Sequence, residues 1–238
     1  MKTLKKSLKC GFLGGLLIAT CGVQASVITY ATPAGSSTGG GPVSAEATFT
    51  TGPGTLDIVL TDLQGNPKDV AQLLSDLDFT LSVALTSGTL NSSAGQELTV
   101  NANGTFTTGS TVSTGWALTS LGGGSFELDV LGTPTAPSHL IIGPPDASNV
   151  YSNANGSIAG NGPHNPFLNQ SVTFDLLIPG VTADTTITGA TFSFGTTAGI
   201  DVLGSPDPSP SPAPEPATLA LLGLGLAALG YSSRKRLS

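Results

Sequence analysis

The interior of this sequence has almost no positive charge. Of its eight Lys and Arg residues only Lys68 lies away from the two ends, whereas acidic residues run from Glu46 to Asp207. The formal net charge of −7 therefore understates how acidic the interior is. Because the phosphate backbone of DNA or RNA repels such a surface, we expect no nucleic-acid binding.

Thiols are also scarce, and both lie near the start of the chain. Cys10 and Cys21 fall within an N-terminal apolar segment. If that segment is removed, the remaining chain has no disulfide, no cysteine nucleophile and no thiolate ligand for a metal. Its stability would then come from packing and strand pairing alone.

Histidines and aromatic residues are too few for several familiar kinds of site. His139 and His164 stand 25 residues apart without a nearby Cys or His, whereas a zinc site takes three or four ligands. We therefore expect structural or surface roles for both, with His164 exposed on a loop. Trp116, Tyr30 and Tyr151 leave little aromatic surface for stacking against sugars.

The N-terminus carries the three parts of a secretory signal peptide. Four lysines precede the apolar segment Cys10–Cys21, and Val23 and Ala25 place small residues three and one positions before a cleavage site at Ser26. We predict a signal helix that is removed there. An uncleaved anchor and a lipoprotein signal at the second cysteine are weaker alternatives, because the apolar stretch is short and a threonine precedes that cysteine.

The C-terminus joins a Pro-rich spacer, a short apolar run and a basic tip. Residues 217–230 would give roughly 21 Å of helix at about 1.5 Å per residue, which is short for a hydrocarbon core of about 30 Å. Arg234, Lys235 and Arg236 follow this run. Basic residues beside a membrane segment stay cytoplasmic, so the acidic interior is expected on the far side. A buried C-terminal helix of a globular domain is the alternative.

Pro214, Glu215 and Pro216 stand directly before the apolar run. In this order of motif, apolar helix and basic tip, the tail resembles a PEP-CTERM sorting signal. The resemblance implies a Gram-negative-type bacterium and removal of the tail by an exosortase, a membrane protease. It also implies a cell-surface or extracellular location, often in association with exopolysaccharide and biofilm matrix. A sorting tail is an address, so it implies nothing about the activity of the body.

The interior alternates apolar and polar residues with a period of two. Seven segments rich in Thr, Val, Phe and Ile have the length of strands: Ala45–Thr51, Thr55–Leu63, Leu77–Leu85, Gln96–Ala102, Ser125–Gly132, Ser171–Gly180 and Thr185–Thr197. Clusters of Gly, Pro and Asn separate them. No alternation of strand and helix is present, so we predict an all-β, antiparallel two-sheet sandwich of the jelly-roll or immunoglobulin-like kind.

Three stretches predict local features of this sandwich. Helical spacing of apolar residues in Asn66–Asp76 indicates one short helix. Asn103 and Gly104 indicate a hairpin turn between two strands. Pro134–Pro166 predicts one short strand followed by a long surface loop, which is the first candidate for a binding segment.

Carboxylates are the only plentiful reactive groups of the interior. We single out six of them: Asp76 and Asp78 on one face of a strand, Asp57 and Asp62, which flank another strand, and Asp146 and Asp184, which lie in loops. Oxygen-rich loops on a secreted β domain are able to hold Ca²⁺, although solvated loop carboxylates are the simpler interpretation. A glycosidase would need two carboxylates that face each other across a cleft.

No stretch predicts a catalytic or cofactor-binding residue. Gly35–Gly39 has the form G-x-S-x-G, but it lies in a Gly/Ser tract and predicts a flexible loop rather than a nucleophile elbow. We expect an exported, non-enzymatic surface or matrix component whose partners are an exosortase-type protease, the membrane and exopolysaccharide. The alternatives are a carbohydrate- or calcium-binding module and, less favoured, a glycoside-acting enzyme.

The predicted organisation has four parts. A signal peptide at 1–25 is followed by a β body at 26–204. A Pro/Ser-rich linker at 205–213 then leads to the sorting tail at 214–238, which contains a short transmembrane helix. This order predicts export, association with the cytoplasmic membrane through the tail, and final placement at the cell surface or outside the cell.

Overall fold

The computed structural model describes residues 25–207, and these residues are mostly β. They form fifteen strands and one turn of 3-10 helix, Val70–Gln72. The first eight strands are β1 (Val27–Ala31), β2 (Ser37–Thr38), β3 (Gly41–Pro42), β4 (Ala45–Gly52), β5 (Thr55–Asp62), β6 (Leu74–Leu81), β7 (Thr89–Val100) and β8 (Phe106–Val112). The others are β9 (Ala117–Gly122), β10 (Ser125–Asp129), β11 (Ile141–Ile142), β12 (Phe167–Leu177), β13 (Ile187–Phe194), β14 (Asp201–Leu203) and β15 (Ser205–Pro206).

Thirteen strands form one sheet that runs in two directions from the short strand β11. The first run has the order β12-β5-β4-β1-β15, with β7 and β8 attached to the other edge of β12. The second run has the order β14-β13-β6-β10-β9. β11 joins them, because Ile141 pairs with Leu168 of β12 and with Leu74 of β6. The pairing with β12 is parallel, so the sheet is mixed and the prediction of a purely antiparallel arrangement was wrong.

The alternation of residues explains which face of each strand is buried. In β4, Ala45, Ala47 and Phe49 are buried and the residues between them are half-exposed. Successive side chains of a strand point to opposite faces, so one set lies in the core and the other set lies toward solvent. β8 and β9 lack this signal, since nearly all of their side chains are exposed or half-exposed.

Aromatic side chains connect the inner faces of the two runs. Phe49 on β4 contacts Phe79 on β6, with ring centroids 5.6 Å apart, and Phe79 stacks on Phe126 of β10 at 5.6 Å. Tyr30 on β1 contacts Phe49 edge-on at 6.2 Å. Its hydroxyl donates to the Ile187 carbonyl of β13 at 3.0 Å. The apolar core therefore includes residues from both runs.

The predicted helix at 66–76 is reduced to a single 3-10 turn. Asp69 caps this turn by accepting the N–H of Ala71 at 3.0 Å, and the Gln72 side chain accepts the N–H of Asp69 at 3.1 Å. The chain then enters β6, where Leu74 pairs with β11 and β13. A longer helix would need the residues from Leu74 onward, but these residues are paired within the sheet as part of β6.

The long segment 134–166 is packed rather than a free surface loop. Tyr151 and Ile158 are fully buried, and the Tyr151 hydroxyl donates to the Gly143 carbonyl at 2.9 Å. The predicted short strand is present as β11. The predicted hairpin turn at Asn103 and Gly104 is confirmed, because β7 and β8 pair on either side of it.

The ends of the body differ slightly from the sequence-based boundaries. Ser205 and Pro206, which were assigned to the linker, pair with β1. At the other end, the Ser26 carbonyl accepts the N–H of Thr51 at 2.9 Å, directly before β1. The predicted signal helix and apolar tail helix lie outside the described residues.

Candidate functional site

An acidic face lies on the outer side of the second run. In β6, Leu77, Phe79 and Leu81 point into the core, so Asp76 and Asp78 point outward. The same alternation in β10, where Phe126 and Leu128 are buried, directs its two acidic residues outward. We use the term acidic face for five residues: Asp76, Asp78, Glu127, Asp129 and Asp201.

Strand register places these carboxylates directly opposite one another. Asp76 pairs with Asp129 and Asp78 pairs with Glu127 across β6 and β10. On the other side Asp76 pairs with Ser193 of β13, which in turn pairs with Asp201 of β14. Like charges directly opposite on neighbouring strands destabilise a sheet, so this arrangement costs stability unless something compensates for it.

Two members of the acidic face have hydrogen-bond donors within the fold. Asp129 accepts the N–H groups of Leu131 at 2.6 Å and Gly132 at 2.7 Å, which close the turn after β10. Asp201 accepts the Ser193 hydroxyl at 2.7 Å. The Oδ1 atoms of Asp76 and Asp78 are buried and have no hydrogen-bond partner. Most buried polar atoms in proteins do have one.

Burial and the repulsion of neighbouring carboxylates both raise the pKa values of Asp76 and Asp78. Burial is the larger cause for Asp76, followed by the charges of Asp78, Glu127, Asp129 and Asp201, and together they raise its pKa to about 8. Burial also raises the pKa of Asp78, again reinforced by neighbouring carboxylates. The surroundings of Asp76 therefore disfavour its charged form unless a cation lies nearby.

Three members of the acidic face are close enough to share a metal ion. One carboxylate oxygen from each of Asp76, Asp78 and Glu127 lies within 4.8 Å of the other two. We call these three residues the carboxylate triad. Their chemistry is that of a hard, oxygen-only donor set, which suits Ca²⁺ or Mg²⁺ rather than Zn²⁺.

A shallow pocket of about 290 Å³ lies beside the triad on the same face. Asp78 and the strand residue Gly189 both line it. A Cβ atom added at Gly189 would meet nothing within 4 Å, so the space above this residue is open. Two leucines that also line the pocket, Leu121 and Leu203, are 54% and 71% exposed. Asp78 is therefore the member of the triad that lies beside an opening wide enough for an ion or a small ligand.

The other carboxylates singled out in the sequence lie elsewhere. Asp57 on β5 pairs with Asp175 on β12, and burial together with that charge raises its pKa. Asp62 is fully buried at the end of β5, which raises its pKa well above the usual range. Asp146 accepts the Ser152 hydroxyl at 2.5 Å within its loop, and Asp184 is exposed.

Glu127 was missed as a partner of Asp76 and Asp78. The alternation in residues 125–129 shows that it points outward, but the sequence contains no signal for the pairing of β6 with β10. That pairing joins segments about fifty residues apart and depends on the whole sheet.

Both histidines have structural partners. The Nδ1 atom of His139 lies 2.8 Å from the Thr114 carbonyl, and its Nε2 atom lies 3.4 Å from Glu97. His164 was predicted to be exposed, but it is half-buried and its Nδ1 atom lies 2.6 Å from the Ser157 carbonyl. The segment 157–165 folds back on itself, which accounts for the difference.

The G-x-S-x-G segment forms no nucleophile elbow. Ser37 and Thr38 form β2, which pairs with β3 as a small hairpin, so the segment is not the loop that was predicted. The Thr38 hydroxyl donates to the Ala71 carbonyl at 2.8 Å. A nucleophile elbow requires a helix after the serine, and here a second short strand follows.

Comparison with known proteins identifies the tail. Residues 212–236 match the PEP-CTERM protein-sorting motif, which includes Pro214, Glu215 and Pro216 and the basic residues Arg234, Lys235 and Arg236. This motif indicates an exported chain that is processed by an exosortase, a membrane protein. No curated protein and no solved structure matches the chain.

The matched tail lies outside the described residues, as does Val23 of the predicted cleavage site. Ala25 and Ser26 are within them and precede the first strand. Between residues 25 and 207, no helix has the length and apolar character needed to cross a membrane.

Proposed function

We propose that this protein is a non-enzymatic component of the cell surface or extracellular matrix, delivered by its sorting tail. The observation that carries the proposal is the match of residues 212–236 to the PEP-CTERM motif. The signal-peptide pattern ending at Ala25 supports the same route. A matrix role beside exopolysaccharide follows from the resemblance of the tail to those of other exported proteins.

The scaffold that we infer is a two-layer sandwich of the jelly-roll or immunoglobulin-like kind. The contact of Phe49 with Phe79 supports it, because these rings come from the first and the second run. Such a scaffold presents sites on its faces and end loops. The acidic face is then the most distinctive outer surface of the body.

A non-enzymatic role rests on the sequence, in which no stretch predicts a nucleophile or another catalytic residue. Asp76, Asp78 and Glu127 lie side by side on two adjacent strands. Glycoside hydrolysis needs two carboxylates on either side of the scissile bond, at separations of about 5 Å or more. We therefore keep a glycoside-acting enzyme as the less favoured alternative, and turnover on a panel of polysaccharides would reveal it.

The second candidate function is a carbohydrate- or calcium-binding module, and the acidic face favours calcium. Sugar sites commonly stack a ring on an exposed aromatic side chain, yet Trp116, Tyr30 and Tyr151 are buried. Trp116 instead packs on Phe174 at 5.4 Å and donates its indole N–H to the His139 carbonyl at 3.0 Å. The carboxylate triad offers oxygen ligands without such a requirement.

Intact-mass measurement of the protein recovered from the native host tests the sorting route. We expect the surface form to begin at Ser26 and to lack the basic tip, because export removes the signal peptide and the exosortase removes the tail. A surface form that retains both Met1 and the basic tip would contradict both processing steps.

A matched pair of variants links that result to the motif. Replacing Pro214, Glu215 and Pro216 together with alanine should leave the tail in place and cause the precursor to accumulate. Replacing three residues of the spacer, Pro208, Ser209 and Pro210, with alanine should leave processing unchanged. Equal processing of the two variants would show that the motif does not direct cleavage.

A further inference from the structure

We propose that Asp76, Asp78 and Glu127 form a binding site for one Ca²⁺ ion on the outer face of the sheet. The inference rests on the second proposed function, a calcium-binding module, and gives that function a location. The sequence pointed to loops for such a site. The structure assigns it instead to two paired strands, β6 and β10.

The first argument is that a buried carboxylate has an oxygen atom without a hydrogen-bond partner. Asp76 is only 9% exposed, and its Oδ1 atom has no hydrogen-bond partner. The Oδ1 atom of Asp78 is also buried without a hydrogen-bond partner. A bound cation would satisfy both atoms at once, which no donor in the described part of the chain does.

The second argument is spacing. Two oxygens that bind the same Ca²⁺ at 2.3–2.6 Å lie no more than about 5 Å apart. The three carboxylate oxygens of the triad lie within 4.8 Å of one another, so they need little movement to meet one ion. Their strands are held by sheet hydrogen bonds, which limits the rearrangement that binding requires.

The third argument is the choice of ion. Mg²⁺ usually keeps several waters and binds through one or two carboxylates, whereas Ca²⁺ accepts six to eight oxygens in a flexible geometry. Three carboxylates with one open side fit the second description. The pocket beside Asp78 leaves room there for water or for an oxygen of a ligand.

Charge supplies the fourth argument. The described residues contain one Lys or Arg, Lys68, which acts on Asp69 and not on the acidic face. The charges that act on Asp76 and Asp78 are all carboxylates. A divalent cation is therefore the missing compensation for like charges placed directly opposite each other.

Thermal unfolding of the purified full chain tests the site. We expect CaCl₂ to raise the melting temperature saturably above its value in chelator, by about 5 °C or more at one hundred times Kd. NaCl of equal ionic strength should not reproduce this rise, and MgCl₂ should do so only at higher concentration. Calorimetry should count one Ca²⁺ per chain.

Asp78→Asn and Glu127→Gln should each weaken Ca²⁺ binding at least tenfold while leaving the chain folded in chelator. Removing one like charge should keep their melting temperatures in chelator at or above that of the wild type. Asp57→Asn is the matched control. Asp57 also lies opposite a carboxylate on the neighbouring strand, that of Asp175, but it is not a member of the triad. This control should retain the full response to Ca²⁺.

Two outcomes would overturn the proposal in distinguishable ways. A wild-type melting temperature that does not respond to Ca²⁺ would remove both the site and the calcium-binding function. A wild-type response that persists in Asp78→Asn and Glu127→Gln would leave calcium binding in place but remove this site. Neither result would alter the sorting route, which the masses of the processed ends decide.

Discussion

At the scale of single residues, Asp62 is the clearest case of a carboxyl group removed from water. It is fully buried, its Oδ1 atom accepts the N–H of Gln64 at 2.9 Å, and its Oδ2 atom has no partner. Burial raises its pKa well above the usual range, although the backbone N–H groups of Gln64, Leu74 and Gly143 act in the opposite direction. The folded chain therefore retains a proton there that the unfolded chain releases above a pH of about 4.

This raised pKa predicts that stability falls as the pH rises. Between about pH 4 and the higher pKa of the folded state, unfolding releases a proton, so each pH unit costs up to about 1.4 kcal/mol. Asp62→Asn should remove this contribution and flatten the dependence of the unfolding free energy on pH. Denaturant titrations in chelator from pH 4.5 to 8 measure the difference between the two chains.

Asp146→Asn is a control in the same experiment, because it should leave the pH dependence between pH 4.5 and 8 unchanged. Hydrogen bonds, first of all from Ser152, lower the pKa of Asp146, so its contribution is present above pH 4 and is lost as the pH falls. A parallel pH dependence of the wild type and Asp62→Asn would contradict the assignment of a retained proton to Asp62.

Residue-level prediction from the sequence succeeded where it needed only alternation. Asp76 and Asp78 were correctly placed on one face of a strand, because neighbours two positions apart share a face. Their meeting with Glu127 was out of reach, since it depends on which distant strands pair. For the same reason, the sequence did not predict the partners of His139 or the burial of Asp62.

At the scale of elements, the hairpin between β7 and β8 depends on a close contact at its turn. Gly104 has φ +80°, a conformation that favours glycine, and its N–H donates to the Asn101 carbonyl at 2.9 Å. A Cβ atom at this position would lie 2.8 Å from the Tyr151 carbonyl oxygen. The turn and the segment that contains Tyr151 therefore fit together only when residue 104 has no side chain.

Gly104→Ala should destabilise the fold more than the comparable change Gly35→Ala. Gly35 has a similar φ of +83°, but a Cβ there would meet nothing within 4 Å. Both changes place alanine in a left-handed conformation, at a cost of about 1–2 kcal/mol. The clash with Tyr151 should add roughly 1–3 kcal/mol for Gly104→Ala. Equal midpoints in denaturant unfolding would contradict the proposed steric contact.

Elements with strong alternation were predictable, and those without it were not. Strands β4 and β5 were predicted nearly to the residue, because their apolar positions repeat with a period of two. β9 was missed because its side chains are largely exposed, so burial left no pattern in its sequence. The helix at 66–76 was overpredicted, because Leu73 and Leu74 fit a helical spacing but are buried where β6 begins.

At the scale of the whole molecule, charge separates the body from the two ends. The segment from Glu46 to Asp207 carries all but one of the acidic residues, whereas seven of the eight Lys and Arg residues lie near the termini. An acidic body with basic ends favours translocation of the body while the ends remain on the cytoplasmic side. The same excess of carboxylates creates the acidic face, so a cation in the external medium would stabilise the body only after export.

The basic tip predicts how the tail is held. Replacing Arg234, Lys235 and Arg236 with serine should impair retention at the membrane or removal of the tail, because a segment as short as residues 217–230 depends on flanking cations to halt in the bilayer. The Pro-rich spacer before the motif favours an extended chain, so the body should stay folded. Cell fractionation, intact mass and circular dichroism measure these three properties.

Lys68→Ser removes a cation from the body instead and should leave processing as in the wild type. Normal distribution and tail removal in the triple variant would show that the tip is not part of the signal, and loss of folding would show that the tail belongs to the domain.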